Sequence, residues 1–542
     1  MSLILAAALA LGGPGDEHAH RHGPELGKVS FATTCKAHSD ALMQQGLGWL
    51  HSFEYQRAQA TFSEAAAADP DCAIASWGVA MSYFHPLWAA PTPDEFQKGK
   101  AALANARHHA AGSQREQDYV AALGAFYDAP AGSDHKARVL AFERAMERLS
   151  SRYPDDREAA VFHALALIAA GTIDNDPDFT REKRAGAILN AVLKEQPEHP
   201  GVAHYLIHSF DYPALAEFAL PAARRYATIA PDSAHAQHMP SHIFTRLGLW
   251  DESIRSNRAA ETAARDWGST SGMSGAWDQQ LHAMDYLTYA YLQEGRDSDA
   301  KAVLDELTAI GASNPTPTAA YAITAIPARV LLERRRWREA AAFELPASLG
   351  RTEALTRHKW AEAHLRFANA VGAARSGDTG RAKAALARLG EIEAAVVVAP
   401  GEYDWRKQVA IERQIAEAWL AYAEGRKADS VRIMRAAADL DDATEKHPVT
   451  PGSILPAREQ LGELLLELRR PDEALAAFEA SLKRAPRRLG GLYGAARAAE
   501  QAGDSKKARG YFSELAEVTK SGDAGRAEVR EARAHASRAA VR

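Results

Sequence analysis

Small and large apolar residues recur along this 542-residue chain at a fixed interval. In "RPDEALAAFEASLKRAP" the pair is Ala474 and Phe478, and "DSKKARGYFSELAEV" repeats it 34 residues later as Ala508 and Phe512. Near the front, "LMQQGLGWLHSFEYQRAQATFSEAAAADP" carries Gly46, Trp49, Ala58, Phe62, Ala65 and Pro70. Steps of three and four residues between such positions mark one face of a helix. Small residues on two successive faces predict antiparallel helices in close approach, with the large residue filling the gap beside them. Alanine is abundant, while β-branched runs and Asn-Gly turns are almost absent, so the whole chain is predicted to be helical.

The period and the small-large order resemble the tetratricopeptide repeat (TPR), with these residues at positions 8, 11, 20, 24, 27 and 32 of a 34-residue unit. The small residue of position 20 can be followed as Ala58, Ala185, Ala219, Ser253, Ala300, Ala340, Ala382, Ser430, Ala474 and Ala508. Where the interval exceeds 34, loops or extra helices are inserted. The resemblance covers roughly residues 30–520. It implies an all-α, TPR-type α-solenoid, a right-handed superhelix of about ten to twelve antiparallel helix pairs, some degenerate. Residues 1–25 read as a leader and 521–542 as a C-terminal helical tail. "EKHPVTPGSILPAREQLGELLLEL" leads into the last units and shows no evident chemistry. The resemblance also implies a concave face lined by positions 2, 5, 9 and 12 of each unit, four positions within an arc of about 80° on a helix.

That register places a cluster of histidines on the concave face. With Ala219 at position 20, positions 5, 9 and 12 are His204, His208 and Asp211. With Ser253 there, positions 2, 5 and 9 are His235, His238 and His242. With Ala300, they are His282, Asp285 and Tyr289. Neutral imidazole with carboxylate suits Zn, Cu, Fe or Ni, and two histidines at i and i+4 form a chelating pair. The predicted metal set is therefore His204, His208, His235, His238, His242, His282, Asp211 and Asp285, the surplus members serving as outer partners or as ligands to a second ion. Tyr205, Tyr289, His51 and His85 are assigned to the groove lining, with packing at the end of the first helix as the other reading for His51 and His85. Pro240 interrupts "HAQHMPSHIF" and should kink that helix, redirecting His235 and His238 relative to His242. "RDWGSTSGMSGAWD" (265–278) reads as an inserted loop, either a plain surface insertion or a lid over the groove.

Composition narrows the remaining options. A net charge of −6 and a pI near 6.4 give no basic footprint for nucleic acid. The opening "MSLILAAALALGG" is too short to span a bilayer and reads as the core of a signal peptide, though without its positive start. Export, to the periplasm, is expected; a cytoplasmic chain is the alternative. Cys35 and Cys72 are either a disulfide or two buried thiols. No phosphate loop, nucleophile elbow, H-E-x-x-H or C-x-x-C occurs. Three functions follow. The first is a TPR-type scaffold binding a protein or peptide in its groove, with a His/Asp transition-metal site (Zn, Cu or Fe). The second is a metal-dependent hydrolase or oxidoreductase on the same frame. The third is a metal-free peptide adaptor.

Overall fold

A computed structural model describes residues 23–87, 90–108, 112–130, 132–174, 176–398 and 403–540. The N-terminal leader, with most of the predicted signal segment, lies outside them. Among the described residues the chain is helical from end to end, and the only bridge between extended residues joins Ala276 and Ser313. Apart from the short helices between residues 337 and 357, each helix packs on the next in sequence, so the chain is an all-α solenoid of TPR-type helix pairs. No helix among these residues is long and apolar enough to cross a membrane.

The packing follows the repeat positions. All ten position-20 residues from Ala58 to Ala508 are buried, none more than 6% exposed. A Cβ on Gly46 or Gly78 would fall 2.5–2.6 Å from the Phe62 ring, and on Gly462 or Gly494 2.7 and 2.2 Å from the Phe478 ring. Glycine at these positions lets flanking helices close on the one large ring, at both ends of the chain.

The solenoid also curls back on itself. Gly248, at φ +66°, packs on the carbonyl of Pro486, where any side chain would collide. The Trp250 indole donates to the Arg487 carbonyl (2.9 Å), and buried Arg488 pairs with Glu333 (2.6 Å) and Glu459 (3.0 Å). The helix Ala527–Ala540 buries Val529 and Ala532 against the body, and Arg526 reaches the carbonyls of Leu292 and Glu333. The predicted tail is thus an integral layer of the solenoid. At the front, the Lys28 amide donates to the Glu198 carbonyl (2.9 Å), and the disulfide Cys35–Cys72 ties the leading segment to the start of the helix Ala73–Ser82.

The consequence for the inner face is large. Residues 445–453, "EKHPVTPGS", lie across it. The Tyr286 hydroxyl meets the carbonyls of Pro448 and Thr450, Tyr321 donates to the Thr450 hydroxyl (2.8 Å), and Arg329 donates to the carbonyls of Gly452 and Ser453. Part of the predicted open groove is therefore occupied by residues 445–453 of the chain itself. Tyr205 and Tyr289 are both buried: Tyr205 donates to His51, while Tyr289 accepts from Arg488 (2.6 Å) and forms part of the wall of a pocket beside residues 450–453.

Candidate metal centre

Three consecutive units supply the histidines. The helix Pro200–Phe210 carries His204 and His208 one turn apart. Its cap is His199, whose Nδ1 accepts from the Val202 amide (3.2 Å). The next unit breaks at Pro240 into Ala234–His238 and Pro240–Arg246, so His235 and His238 sit on one piece and His242 on the other. Asp278–Gln293 carries His282.

These six rings gather as two trios, His204/His208/His235 and His238/His242/His282. Within each trio the potential donor nitrogens lie within 4.8 Å of one another. The proton positions are set from behind. His204 Nδ1 donates to the His51 carbonyl (2.6 Å) and His235 Nδ1 to the Gln279 side-chain oxygen (3.2 Å). His238 Nδ1 donates to Asn257 Oδ1 (2.7 Å), whose amide nitrogen is committed to the Ser253 carbonyl, and His242 Nδ1 donates to Asp211 (2.9 Å). Each of these four rings therefore carries its hydrogen on Nδ1 and a lone pair on Nε2. Yet the Nε2 atoms of His204 and His235 are 3.2 Å apart, and those of His238 and His242 are 3.0 Å apart. His208 Nε2 lies 3.0 Å from His204 Nε2.

Protonation does not relieve these contacts. Burial, reinforced by the neighbouring rings, holds His204, His208, His238 and His282 well below the usual histidine range and brings His235 down to about 3. His242 is also lowered by burial, against the pull of Asp211. Neutral rings with converging lone pairs are a ready donor set for a cation, and four of them are backed by the kind of acceptor that orients metal-bound imidazole.

A third trio, His51, Glu158 and His199, is a contrast built from similar parts. His51 Nε2 and His199 Nε2 donate to the two oxygens of Glu158 (3.0 and 2.7 Å), and Tyr205 donates to His51 Nδ1 (3.0 Å). Every contact has one proton and one acceptor, and the Glu158 carboxyl is held far below its usual range by the two imidazoles despite burial. This is a closed hydrogen-bond network. It holds His51, whose carbonyl orients His204.

The carboxylates of the predicted set stand elsewhere. Asp211 is behind His242, gripped also by Arg246 (2.8 Å) and Lys446 (3.2 Å). Asp285, one turn beyond His282, pairs with Arg329 (2.9 Å) and belongs to neither trio. His85, in a left-handed turn against Tyr55, lines a cavity and not the trios. Trp267 and Trp277 of the inserted segment pack on each other, 4.4 Å between ring centres, and the Ala276 amide donates to the Ala312 carbonyl, which pins the segment down. Sequence reasoning missed Asn257, Gln279, Arg246, Lys446, the Glu158–His199 pair and Tyr286, whose hydroxyl lies 3.4 Å from His242 Nε2. Asn257 did leave a signal: it occupies the slot that holds Phe62 and Phe478 in other units, a polar residue where packing calls for a large apolar one.

The cavity, about 450 Å³, reaches His208, the one ring of the six that is not fully buried. Phe179, Tyr212, Trp405, Arg246 and Lys446 are among its walls. Burial lowers the Lys446 amine to about 8.

No family model matches the chain, and no curated protein matches it. Among solved structures it is similar to a human IFIT1 dimer with m7Gppp-AAAA, at TM-score 0.37 and 13% identity over 82% of this chain and 90% of that one. It is similar to the APC/C hetero-tetramer Cut9–Hcn1, at 0.33 and 12% over 91% and 76%. It is also similar to the P58(IPK) TPR domain, at 0.21 and 13% over 93% and 100%. Likeness of that degree carries no argument about this chain's activity, and its TPR-type architecture rests on its own repeat packing.

Proposed function

We infer that this chain is a TPR-type solenoid whose interior holds a transition-metal centre on His204, His208, His235, His238, His242 and His282, serving chemistry on a small molecule. The observation that carries the reading is the convergence of Nε2 lone pairs, at 3.0–3.2 Å, on rings whose Nδ1 protons are already committed. A hydrogen-bonded interior has no use for such contacts, while a divalent ion would bind through them. All-imidazole donors favour Cu, Zn or Fe over Mg or Ca, and the absence of thiolate separates the centre from structural zinc sites.

Three protein donors per ion, beside a cavity, fit the metal-dependent enzyme over the scaffold, because a structural site is closed by four protein ligands. A cavity of about 450 Å³ suits a small ligand. Residues 445–453 occupy part of the inner face where a peptide would lie, which favours a small ligand over a peptide. The Cys35–Cys72 disulfide supports export to an oxidising compartment.

The test is elemental analysis of untagged, chelator-free protein beside a His204→Ala/His238→Ala variant of unchanged helicity. Stoichiometric metal in the parent, lost in the variant, is expected. A parent that takes up no transition metal even on reconstitution would return the chain to the metal-free adaptors.

A further inference from the structure

The two trios are one cluster. His208 and His242, from different trios, are 6.4 Å apart between ring centres, and His235 and His238 are 6.2 Å apart. Inside the second trio His242 and His282 are 6.0 Å apart. The two trios therefore adjoin: rings of different trios come within 6.2–6.4 Å, a little beyond the 4.2–6.0 Å found inside a trio. His235 and His238, moreover, are neighbours on one short helix, so neither trio can move without the other.

Charge decides what else the cluster requires. All six donors are neutral rings, and neither trio includes a carboxylate. The acids nearby are already balanced: Asp211 by Arg246 and Lys446, Glu445 by Arg246, and Asp285 by Arg329. Glu158 stands one residue removed, behind His51. Two divalent ions in this interior would carry a large uncompensated positive charge, which a protein tolerates only when an opposite charge accompanies it. The fourth ligand is therefore expected to be anionic, and one anion placed between the ions lowers the charge felt at both.

A route for that anion is visible. The cavity reaches His208, and its walls present N–H groups with capacity to spare. The three-donor ammonium of Lys446 makes one hydrogen bond, to Asp211, and His447 accepts the Val449 amide at Nδ1, which leaves the hydrogen on Nε2.

We propose that the six histidines hold two divalent ions as a single dinuclear centre, bridged by one small exchangeable anion, hydroxide at rest, that enters through the cavity over His208. The bridge forms when a water bound between the ions loses one proton to solvent, with no change in oxidation state. Two cations on one oxygen make that loss easy near neutral pH. This inference rests on the metal reading above and adds nuclearity, ligand class and route to it.

The experiment is a stepwise Cu(II) titration of the metal-free full chain, followed by electron paramagnetic resonance and by optical titration with azide. Two coppers per chain are expected. The signal should grow through the first equivalent and collapse through the second as the bridge couples the spins, and one azide should bind per copper pair. His282→Ala, with unchanged helicity, should retain one copper with a full signal. Thr172→Trp, at an exposed position on the cavity wall, should keep both coppers and slow azide binding at least several-fold. Two coppers with undiminished signal, or two azides per chain, would overturn the bridge. One copper per chain would overturn the dinuclear centre and leave the metal reading standing, whereas no copper would sink both. An azide rate unchanged in Thr172→Trp would remove the cavity as the route.

Discussion

Asn257 offers the sharpest perturbation, because it touches one trio from behind and no ion directly. Its Oδ1 accepts the His238 Nδ1–H at 2.7 Å and its amide donates to the Ser253 carbonyl at 2.8 Å. Asn257→Leu keeps the volume and removes both of these bonds, together with the longer contacts to the Ser241 and Ser253 hydroxyls (3.4 Å each). The Ser253 carbonyl lies on the same helix, one turn back, and keeps its backbone partner, so the fold should lose only about 1 kcal/mol. His238 loses more, since its ring is no longer fixed with the lone pair on Nε2. Removing such an outer partner weakens metal binding about 10- to 100-fold, or roughly 1.4–2.7 kcal/mol. The effect should be lopsided, because His204 and His235 are oriented by the His51 carbonyl and Gln279 instead. The assay is competition for metal against a chelator of known affinity, followed to both equivalents. One equivalent should move by that factor and the other by clearly less. Equal shifts in both, or none in either, would refute the assignment of Asn257 to the His238 site.

Further expectations test the surroundings. Glu158→Gln replaces the carboxylate that accepts from both His51 and His199, and should cost about 2–3 kcal/mol in denaturant unfolding while metal stoichiometry is retained; loss of metal with unchanged stability would contradict the division between the third trio and the other two. Reduction of Cys35–Cys72, separated by 37 residues, should destabilise the N-terminal units by up to about 4 kcal/mol, read as a lower first transition on heating. Glu294 has its carboxyl raised to about 7 by burial and by Asp251, so its contribution is complete in acid and is lost as the pH rises through about 7. Glu294→Gln should therefore raise the melting temperature at pH 8 and leave it nearly unchanged at pH 5; a gain at both would point to another cause. The six imidazoles have the opposite sense. Their lowered folded-state values mean that metal-free protein loses stability as pH falls below about 6.5 toward 3, the level of His235, which a pH series of unfolding midpoints would show.

The solenoid was legible because each unit repeats the same local bargain between a small residue and a large one. The ten small residues followed from Ala58 to Ala508 are all buried. The histidines were legible as one face for the same reason, since register alone aligns His204 with His238 and His282. What the register could not give is closure. Lys446 meets Asp211 across 235 residues and Arg488 meets Tyr289 across 199, and no period relates such partners. Hence "EKHPVTPGS" looked chemically silent and the groove looked open. The division into trios was hidden as well. It depends on Pro240, which splits the helix between His238 and His242, and on Arg246 and Arg329, which draw Asp211 and Asp285 out of the ligand set.

The third trio shows why histidine density alone says little about metal. The potential ligand atoms of His51, Glu158 and His199 lie within 4.8 Å of one another, as in the other two groups. Their protons, however, account for every contact: two N–H groups face two carboxylate oxygens, and the remaining nitrogens accept from Tyr205 and the Val202 amide. A cation there would have to displace protons that already hold the network together. In the other trios the outer acceptors have taken the protons away, and lone pair faces lone pair. Burying rings in that arrangement is unfavourable on its own, since two facing Nε2 lone pairs cannot hydrogen-bond to each other. The fold supplies four separate acceptors, on Asn257, Gln279, Asp211 and the backbone of His51, to maintain it. Acceptors placed behind the rings, and not the count of the rings themselves, are what distinguish a centre built for cations from a histidine-rich core.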